Sequence, residues 1–549
     1  MRKYLLSLLM ITMLICLASC GEQTEESGNM KDYNCDIFAT EYDNINSTDN
    51  PNAYISRVST NLAVDDGIIV SPYYTMKING IDVPVYATRT TNTIHSFAYI
   101  DVDVKDKALD FSLDVELTIN KDTTSVFSKK NPSVVVLPEK RGVVAEFNEN
   151  VVTATINAFG SYSFAFNKKQ DEALTLMVTE KQNTEEVFGI KDIVYIEPGD
   201  YSTDRREETL FEEEDKVYYF KKGRHLIDRI FVPSNSILYL EQGAYLEVVP
   251  TTVDYVIRNT GEDNIKVMGR GLIDYSGCCG SEVPAGYSNN KKSLNFSNIN
   301  DMTFSGITVI NSQTWTLCLN NCKNVYVSEV LFFGYRVYSD GIMLSDCKDA
   351  LVEKNFIRTG DDAFETKSTT SKGLTENVWF KNNDAWTDKG VAYGCIYESN
   401  HDTTDVHFED CTVGFAMGTW SNHLGCCVIQ MGNRKGAKMY DITFNNFEIY
   451  MNHNAAILNI FIGGSGGRGE GYGHVDKIYF SNIVAKRNYG AVLNLRTYDS
   501  INCSISRVYV DNVTSNDVLF TKDNYKEYVN DNVAGGYDFK LLQINTQNK

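Results

Sequence analysis

The stretch Met302-Thr303-Phe304-Ser305-Gly306-Ile307-Thr308-Val309 is answered downstream by Tyr326-Val327-Ser328-Glu329-Val330 and by Leu351-Val352-Glu353-Lys354-Asn355-Phe356. Trp379-Phe380-Lys381-Asn382, His407-Phe408-Glu409-Asp410, Thr443-Phe444-Asn445-Asn446, Tyr479-Phe480-Ser481-Asn482 and Tyr509-Val510-Asp511-Asn512 continue the series. Ile265-Lys266-Val267-Met268-Gly269 precedes it. The apolar centres are Val267, Phe304, Val327, Val352, Phe380, Phe408, Phe444, Phe480 and Val510. Their tightest steps are 23, 25 and 28 residues, and longer steps imply loops inserted into a coil. A short strand returning every ~20–30 residues, with no helical half, marks a solenoid of β-coils. Each coil buries its central residue by stacking on the next. Asn and Asp at the turns are placed to hydrogen-bond along the stack. Ile230-Phe231-Val232 and Ile237-Leu238-Tyr239-Leu240 read as the first coils.

Residues 35–190 read differently. Thr75-Met76-Lys77-Ile78, Phe97-Ala98-Tyr99-Ile100-Asp101-Val102 and Tyr162-Ser163-Phe164-Ala165-Phe166 alternate apolar and polar side chains, the period of half-buried strands. The expected fold is therefore all-β: a right-handed parallel β-helix over residues 191–549, preceded by a β-sandwich. The 549-residue length exceeds one ordinary domain of ~100–200 residues. Hydrophobic residues at 43% and charged residues at 22% fit a packed core. A formal net charge of −21 without any basic run excludes nucleic acid as a partner held by bulk charge.

Residues 1–19 read as a signal peptide: Arg2 and Lys3, then an apolar run from Leu5 to Leu17 too short to span a bilayer. Leu17-Ala18-Ser19-Cys20 resembles a bacterial lipobox, which implies a lipid anchor on Cys20. Glu22, Glu25 and Glu26 resemble the surface-export signal of Bacteroidetes lipoproteins. The expected location is a bacterial outer membrane, at the cell surface or the periplasmic face. Residues 20–34 read as a tether. The cysteines form no C-x-x-C pair, so zinc is not expected. Cys322, Cys347 and Cys411 recur at equivalent points of the repeat and read as stacked, buried thiols. Cys278-Cys279 and Cys426-Cys427 remain open between thiols and disulfides.

Chemistry concentrates in Tyr338-Ser339-Asp340-Gly341 and Gly360-Asp361-Asp362-Ala363-Phe364. Asp361 and Asp362 follow Asp340 by 21 and 22 residues, about one coil. Residues one coil apart stack at the inter-strand spacing of ~4.8 Å. The three carboxylates should therefore cluster on one face. Repulsion holds at least one of them protonated near neutral pH. An acid beside ionised bases is what glycoside hydrolysis needs.

These motifs resemble the clan of the polygalacturonases (glycoside hydrolase family 28) and the dextranases and isopullulanase (family 49). The polygalacturonase pattern Asn-Thr-Asp-Gly stands here as Tyr338-Ser339-Asp340-Gly341. Gly360-Asp361-Asp362 is intact and followed by Lys367-Ser368, and Asn311-Ser312-Gln313-Thr314-Trp315 resembles the segment one coil earlier. The resemblance covers roughly residues 195–515. It implies an inverting hydrolase of a polysaccharide, with Asp361 as general acid and Asp340 and Asp362 holding and deprotonating water. No cofactor and no metal are implied. Two departures bear on the substrate. The Gly-His-Gly of polygalacturonases is replaced by Tyr393-Gly394-Cys395, and their Arg-Ile-Lys by Val428-Ile429-Gln430. The dextranases also lack that His and carry a sandwich before the β-helix, so a neutral α-linked glycan is the expected substrate.

Lys367, Tyr393 and Trp315 are the candidate substrate-binding residues; Glu398, His401 and His423 read as loop residues around the cleft. Gly463–Gly471 lacks the ending of a phosphate loop and reads as a loop flanking the cleft. Three other functions remain open: a polygalacturonase, a polysaccharide lyase using calcium, and a surface protein that binds glycans without turnover.

Overall fold

A computed structural model describes residues 31–60, 67–202, 210–250, 255–279, 292–312, 314–370, 373–396, 398–418, 425–431, 436–453, 456–463, 472–497 and 502–533. The signal segment, Cys20, Gln313, His423 and most of the glycine-rich run lie outside the described residues, as do the side chains of Cys278 and Cys279.

The apolar centres of the repeat pair in one unbroken parallel column, Val267 opposite Phe304, then Val327, Val352, Phe380, Phe408, Phe444, Phe480 and Val510. A second inward column runs from Leu246 through Ile273, Val309, Phe332, Ile357, Ala385 and Val413 to Ile449. A third runs from Ile230 through Ile257, Leu294, Leu317, Ile342, Phe364, Tyr393, Cys427 and Leu458 to Leu493. All belong to one continuous hydrophobic core. This is the right-handed parallel β-helix the repeat predicts.

The turns explain the Asn and Asp content. Asn298, Asn321, Asp349, Asn377, Asp410, Asn446, Asn482 and Asn512 hold positive φ, which short polar side chains tolerate best after glycine. Their side chains also bond coil to coil, as in Asn321 to Asn298 at 2.7 Å and Asn377 to Asp349 at 2.8 Å.

The solenoid starts earlier than Ile230. Asp192–Ile196 pairs with Lys216–Phe220, which pairs with Ile237–Leu240. This first strand, Asp192-Ile193-Val194-Tyr195-Ile196, is largely exposed or half-buried, as an end coil covered on one side only must be. Residues 31–34, expected to belong to the tether, already contact the sandwich. Lys31 pairs with Asp114 at 2.6 Å, and Asn34 donates to the carbonyls of Asp106 and Leu109. Cys322, Cys347, Cys411, Cys426 and Cys427 are buried free thiols.

The N-terminal unit is a sandwich of one seven-stranded and one five-stranded sheet. Tyr74–Ile78 alternates buried and exposed side chains as expected. Ile94–Val104 and Gly160–Phe166 do not; nearly all their side chains are buried on both faces. Their inner residues, such as Ile100 and Phe164, fill the sandwich. Their outer residues, such as Phe97, Tyr99 and Ala165, pack on Leu331, Phe333, Phe356 and Trp386 of the β-helix. The polar alternation seen in the sequence faces a second domain instead of water.

Charges are buried in that interface. Arg270 of the β-helix reaches Asp101 of the sandwich at 2.6 Å and Glu329 at 3.0 Å. Arg141 pairs with Asp384 at 2.9 Å. Arg358 pairs with Asp388 at 3.2 Å and donates to His95 Nδ1 at 2.9 Å. Burial and then the Arg358 charge hold His95 well below the ordinary imidazole range, so it is neutral. Removing one partner of a buried pair strands the other. Arg270→Ala is therefore expected to lower stability in denaturant melts by about 3–5 kcal/mol, with Arg270→Met recovering part of it. A loss below about 1 kcal/mol would show that the joint does not depend on this triad.

Candidate functional site

One coil of stacking brings the acids together. Ile342 pairs with Phe364 and Leu317 with Ile342. Trp315, Asp340 and Asp362 stand two residues before these in each strand. The amide of Gly341 donates to the Asp362 carbonyl, and that of Thr316 to the Asp340 carbonyl, each at 2.8 Å. Asp361 lies beside this column at the turn, where Thr359 Oγ1 bonds its carbonyl at 2.7 Å. The turns nest because two residues lack side chains. A Cβ on Gly360 would stand 2.5 Å from the Arg336 carbonyl oxygen, and one on Gly390 only 2.3 Å from the Asp361 carbonyl carbon.

Side chains alternate along Phe364–Lys367. Phe364 enters the core; Glu365 and Lys367 face outward beside Asp340 and Asp362. Glu365 is a fourth carboxylate that the sequence reading passed over. Its signal was the alternation itself: next to inward-facing Phe364, it takes the outward phase together with Lys367. Lys367 Nζ lies 3.1 Å from Glu365, 3.0 Å from Glu398 and 4.7 Å from the Trp315 ring centre. Trp315 and Lys367 thus belong to the site, and Glu398 joins them from its loop.

Tyr393 does not. It was expected to contact substrate, but its register places it in the inward column, stacked on Phe364 with ring centres 5.0 Å apart. It is fully buried, and its hydroxyl donates to the carbonyls of Asn383 and Thr412. Gly394 takes the outward position instead. One coil further, Val428 follows Gly394, and Gln430 continues that face. Gln430 is fully buried, and among the described residues neither amide atom has a hydrogen-bond partner.

The electrostatics follow from burial. Asp340 and Glu365 are almost wholly buried and Asp361 is 8% exposed. Burial, then Asp362 and Glu365, push Asp361 up to about 9. Burial, then Glu365, push Asp362 up to about 7, against the Val391 amide that donates to it at 2.7 Å. Asp340 lies well above the carboxylate range, through burial and then Asp361. One oxygen each of Asp340, Asp362 and Glu365 lie within 4.8 Å of one another, a spacing that calls for positive charge. The Lys367 ammonium stands there, and burial works against its charge while Glu365 and Glu398 raise its pKa.

The sandwich reaches this site. The Thr91 amide donates to Asp388 Oδ2 at 3.1 Å, and Arg358 holds the other oxygen. Asp388 opens the turn that carries Gly390 under Asp361 and Val391 against Asp362. The two domains thus meet directly behind the acids.

A parallel β-helix with clustered acids on one outer face is the class that fold and site define. The family model of glycosyl hydrolases family 28 matches residues 247–419, which include Asp340, Asp361, Asp362 and Lys367. An exopolygalacturonase of Zea mays is 26% identical over 166 residues, 28% of this chain. The chain spans 38% of the length of that relative. Exopolygalacturonase clone GBGE184 of Arabidopsis thaliana is 23% identical over 257 residues, 44% of this chain and 56% of that protein. Among solved structures, Dex49A from Penicillium minioluteum aligns over 85% of this chain and 94% of its own at 11% identity, with a TM-score of 0.49.

A carboxyl held at about 9 when folded destabilises the fold as pH rises from its unfolded value of ~3.9. The cost is absent below that value and complete above about 9. Asp361→Asn is therefore expected to match the native protein in stability near pH 4 and to exceed it near pH 8, by on the order of 1 kcal/mol or more. Equal stabilities at both pH values would contradict the burial account.

Proposed function

We propose that this protein is a glycoside hydrolase that cleaves a neutral α-linked glycan by single displacement with inversion. The observation that carries the reading is the stack of Asp340 on Asp362 with Asp361 at its side, where Asp361 is held at about 9 and Asp362 at about 7. Between those values one carboxyl is protonated and its neighbour ionised, which is the acid and base pairing the reaction uses. Asp361 gives its proton to the glycosidic oxygen as the bond to the anomeric carbon breaks. Water held by Asp362 and Asp340 attacks from the opposite face, and Asp362 takes the water's proton. Inversion calls for roughly 6.5–9.5 Å between acid and base carboxyls. Trp315 supplies an aromatic face for a sugar.

Neutral substrate is favoured by the lining. Along the outward positions of Leu317–Asn320, Ile342–Ser345, Phe364–Lys367 and Tyr393–Cys395, Lys367 is the one cation, and two glutamates already neutralise it. Val428 and Gln430 continue that face without charge. The matches to exopolygalacturonases favour a second reading, a hydrolase of galacturonans. We place the enzyme on a bacterial outer membrane through a lipid on Cys20, on the strength of the Leu17–Cys20 motif.

Reducing-sugar release from dextran, pullulan, α-1,3-glucan, α-galactosylated glycans and polygalacturonate separates these readings. Release from one neutral glycan, abolished by Asp361→Asn, is expected. Its kcat/KM should follow a bell whose limbs lie near 7 and 9, above the ordinary carboxylate range. Release from polygalacturonate alone would replace the neutral-glycan reading with the galacturonan one. No release in any arm would overturn the hydrolase assignment for these substrates. Radiolabelled palmitate should enter the native chain and not Cys20→Ser; equal labelling would refute the anchor.

A further inference from the structure

Glu365 is unclaimed by the mechanism above, although it lies at the centre of the site. Its Oε2 takes the Lys367 ammonium at 3.1 Å. Its Oε1 is buried and has no donor among the described residues, and Asp340 Oδ1 is in the same condition. The two carboxyls are within hydrogen-bonding reach of one another. Asp362 adds a third oxygen within 4.8 Å, but it has the Val391 amide as a donor.

Two buried carboxylates this close, each with an oxygen that no described group bonds, repel strongly in a medium of low dielectric. Two of the three Lys367 N–H bonds go to Glu365 Oε2 and Glu398, and the Val391 amide goes to Asp362. A single proton between the two oxygens turns that repulsion into a charge-assisted hydrogen bond. Two carboxyls sharing one proton carry one negative charge, which the Lys367 ammonium balances.

We propose that Glu365 is a positioning residue that shares one proton with Asp340, a buried carboxyl–carboxylate pair leaving Asp362 as the base. The role in turnover rests on the hydrolase reading; the shared proton does not. The pair fixes the Asp340 carboxyl so that its remaining oxygen orients the attacking water. It also removes Asp340 as a competitor for the water's proton. The charged groups facing the pair are Asp361 at the turn, Asp362 one coil on, Lys367 on the same strand and Glu398 from a flanking loop, while Lys389 acts on Asp361. All the carboxyls among them push the shared proton to stay.

Infrared difference spectroscopy tests the pair without turnover. In an Asp361→Asn background near pH 8, above the value of about 7 for Asp362, one protonated-carboxyl stretch is expected to persist. Adding Glu365→Gln should abolish it, because the amide donates permanently to an ionised Asp340. Asp340→Asn in the same background should abolish it from the other side, which guards against a variant that misfolds. With substrate, Glu365→Gln alone should leave the acid limb of kcat/KM in place, with KM changed little, because the pair and its replacement both carry one negative charge; a fall of roughly one pH unit would show Glu365 ionised and overturn the shared proton. Glu365→Ala, which leaves Asp340 with no partner, should lose on the order of 100-fold in kcat. A stretch that survives both double variants would overturn the shared proton. So would stoichiometric binding of Ca2+ by calorimetry that Glu365→Gln removes, since a cation would then hold the oxygens. If the infrared result is positive but no glycan is cleaved, the pair stands and the hydrolase reading falls.

Discussion

Parallel stacking at the strand spacing governs this molecule. Adjacent coils lie ~4.8 Å apart, so residues some 22–37 positions apart in sequence become neighbours without any loop having to bring them there. Core, turns and acids all obey that one rule. The column from Val267 to Val510 is continuous because each centre covers the one before it. Asn and Asp populate the turns because each coil needs a positive φ there and offers its neighbour a side-chain amide to bond. Asp340 meets Asp362 because they are 22 residues apart on a coil of that length.

The sandwich is part of this machine by contact, through its joint to the β-helix. Its outer sheet face is apolar and packs on Leu331, Phe333, Phe356 and Trp386. Across the same joint, Arg270, Arg358 and Arg141 bind carboxylates away from water. A buried ion pair gains little over apolar packing but tolerates no shift of one partner. It therefore fixes register more than it adds stability. Asp388 is held by Thr91 of the sandwich and by Arg358, and it starts the turn on which Asp361 and Asp362 rest. Any sliding between the domains would be felt at the acids.

The acids occupy a place where carboxylates are costly. Burial raises all four, and their mutual repulsion adds to it. What makes the cluster tenable is a division of labour. Lys367 balances Glu365 and Glu398, the Val391 amide serves Asp362, and protons serve the rest. The neighbouring outward face is uncharged at Gly394, Val428 and Gln430. Carboxyls raised by burial thus stand beside a stretch of lining that adds no charge.

The sequence by itself determined the solenoid, its register and the acid cluster. A local repeat fixes local stacking, and each apolar centre identified from the repeat has its partner in the column. The Tyr393 assignment failed for a reason of the same kind. A strand's alternation has two phases, and Tyr393 shares the phase of Phe364, which points inward. Glu365 holds the opposite, outward phase, so its place beside the acids was legible in the same alternation. What only the tertiary structure decided is the contact between domains. The alternation in Ile94–Val104 predicts one wet face, yet that face is covered by Phe333, Phe356 and Trp386 from more than 200 positions away. Period and spacing report the forces within a chain segment and its stacked neighbours. They carry no record of which distant surface will exclude water from the other side.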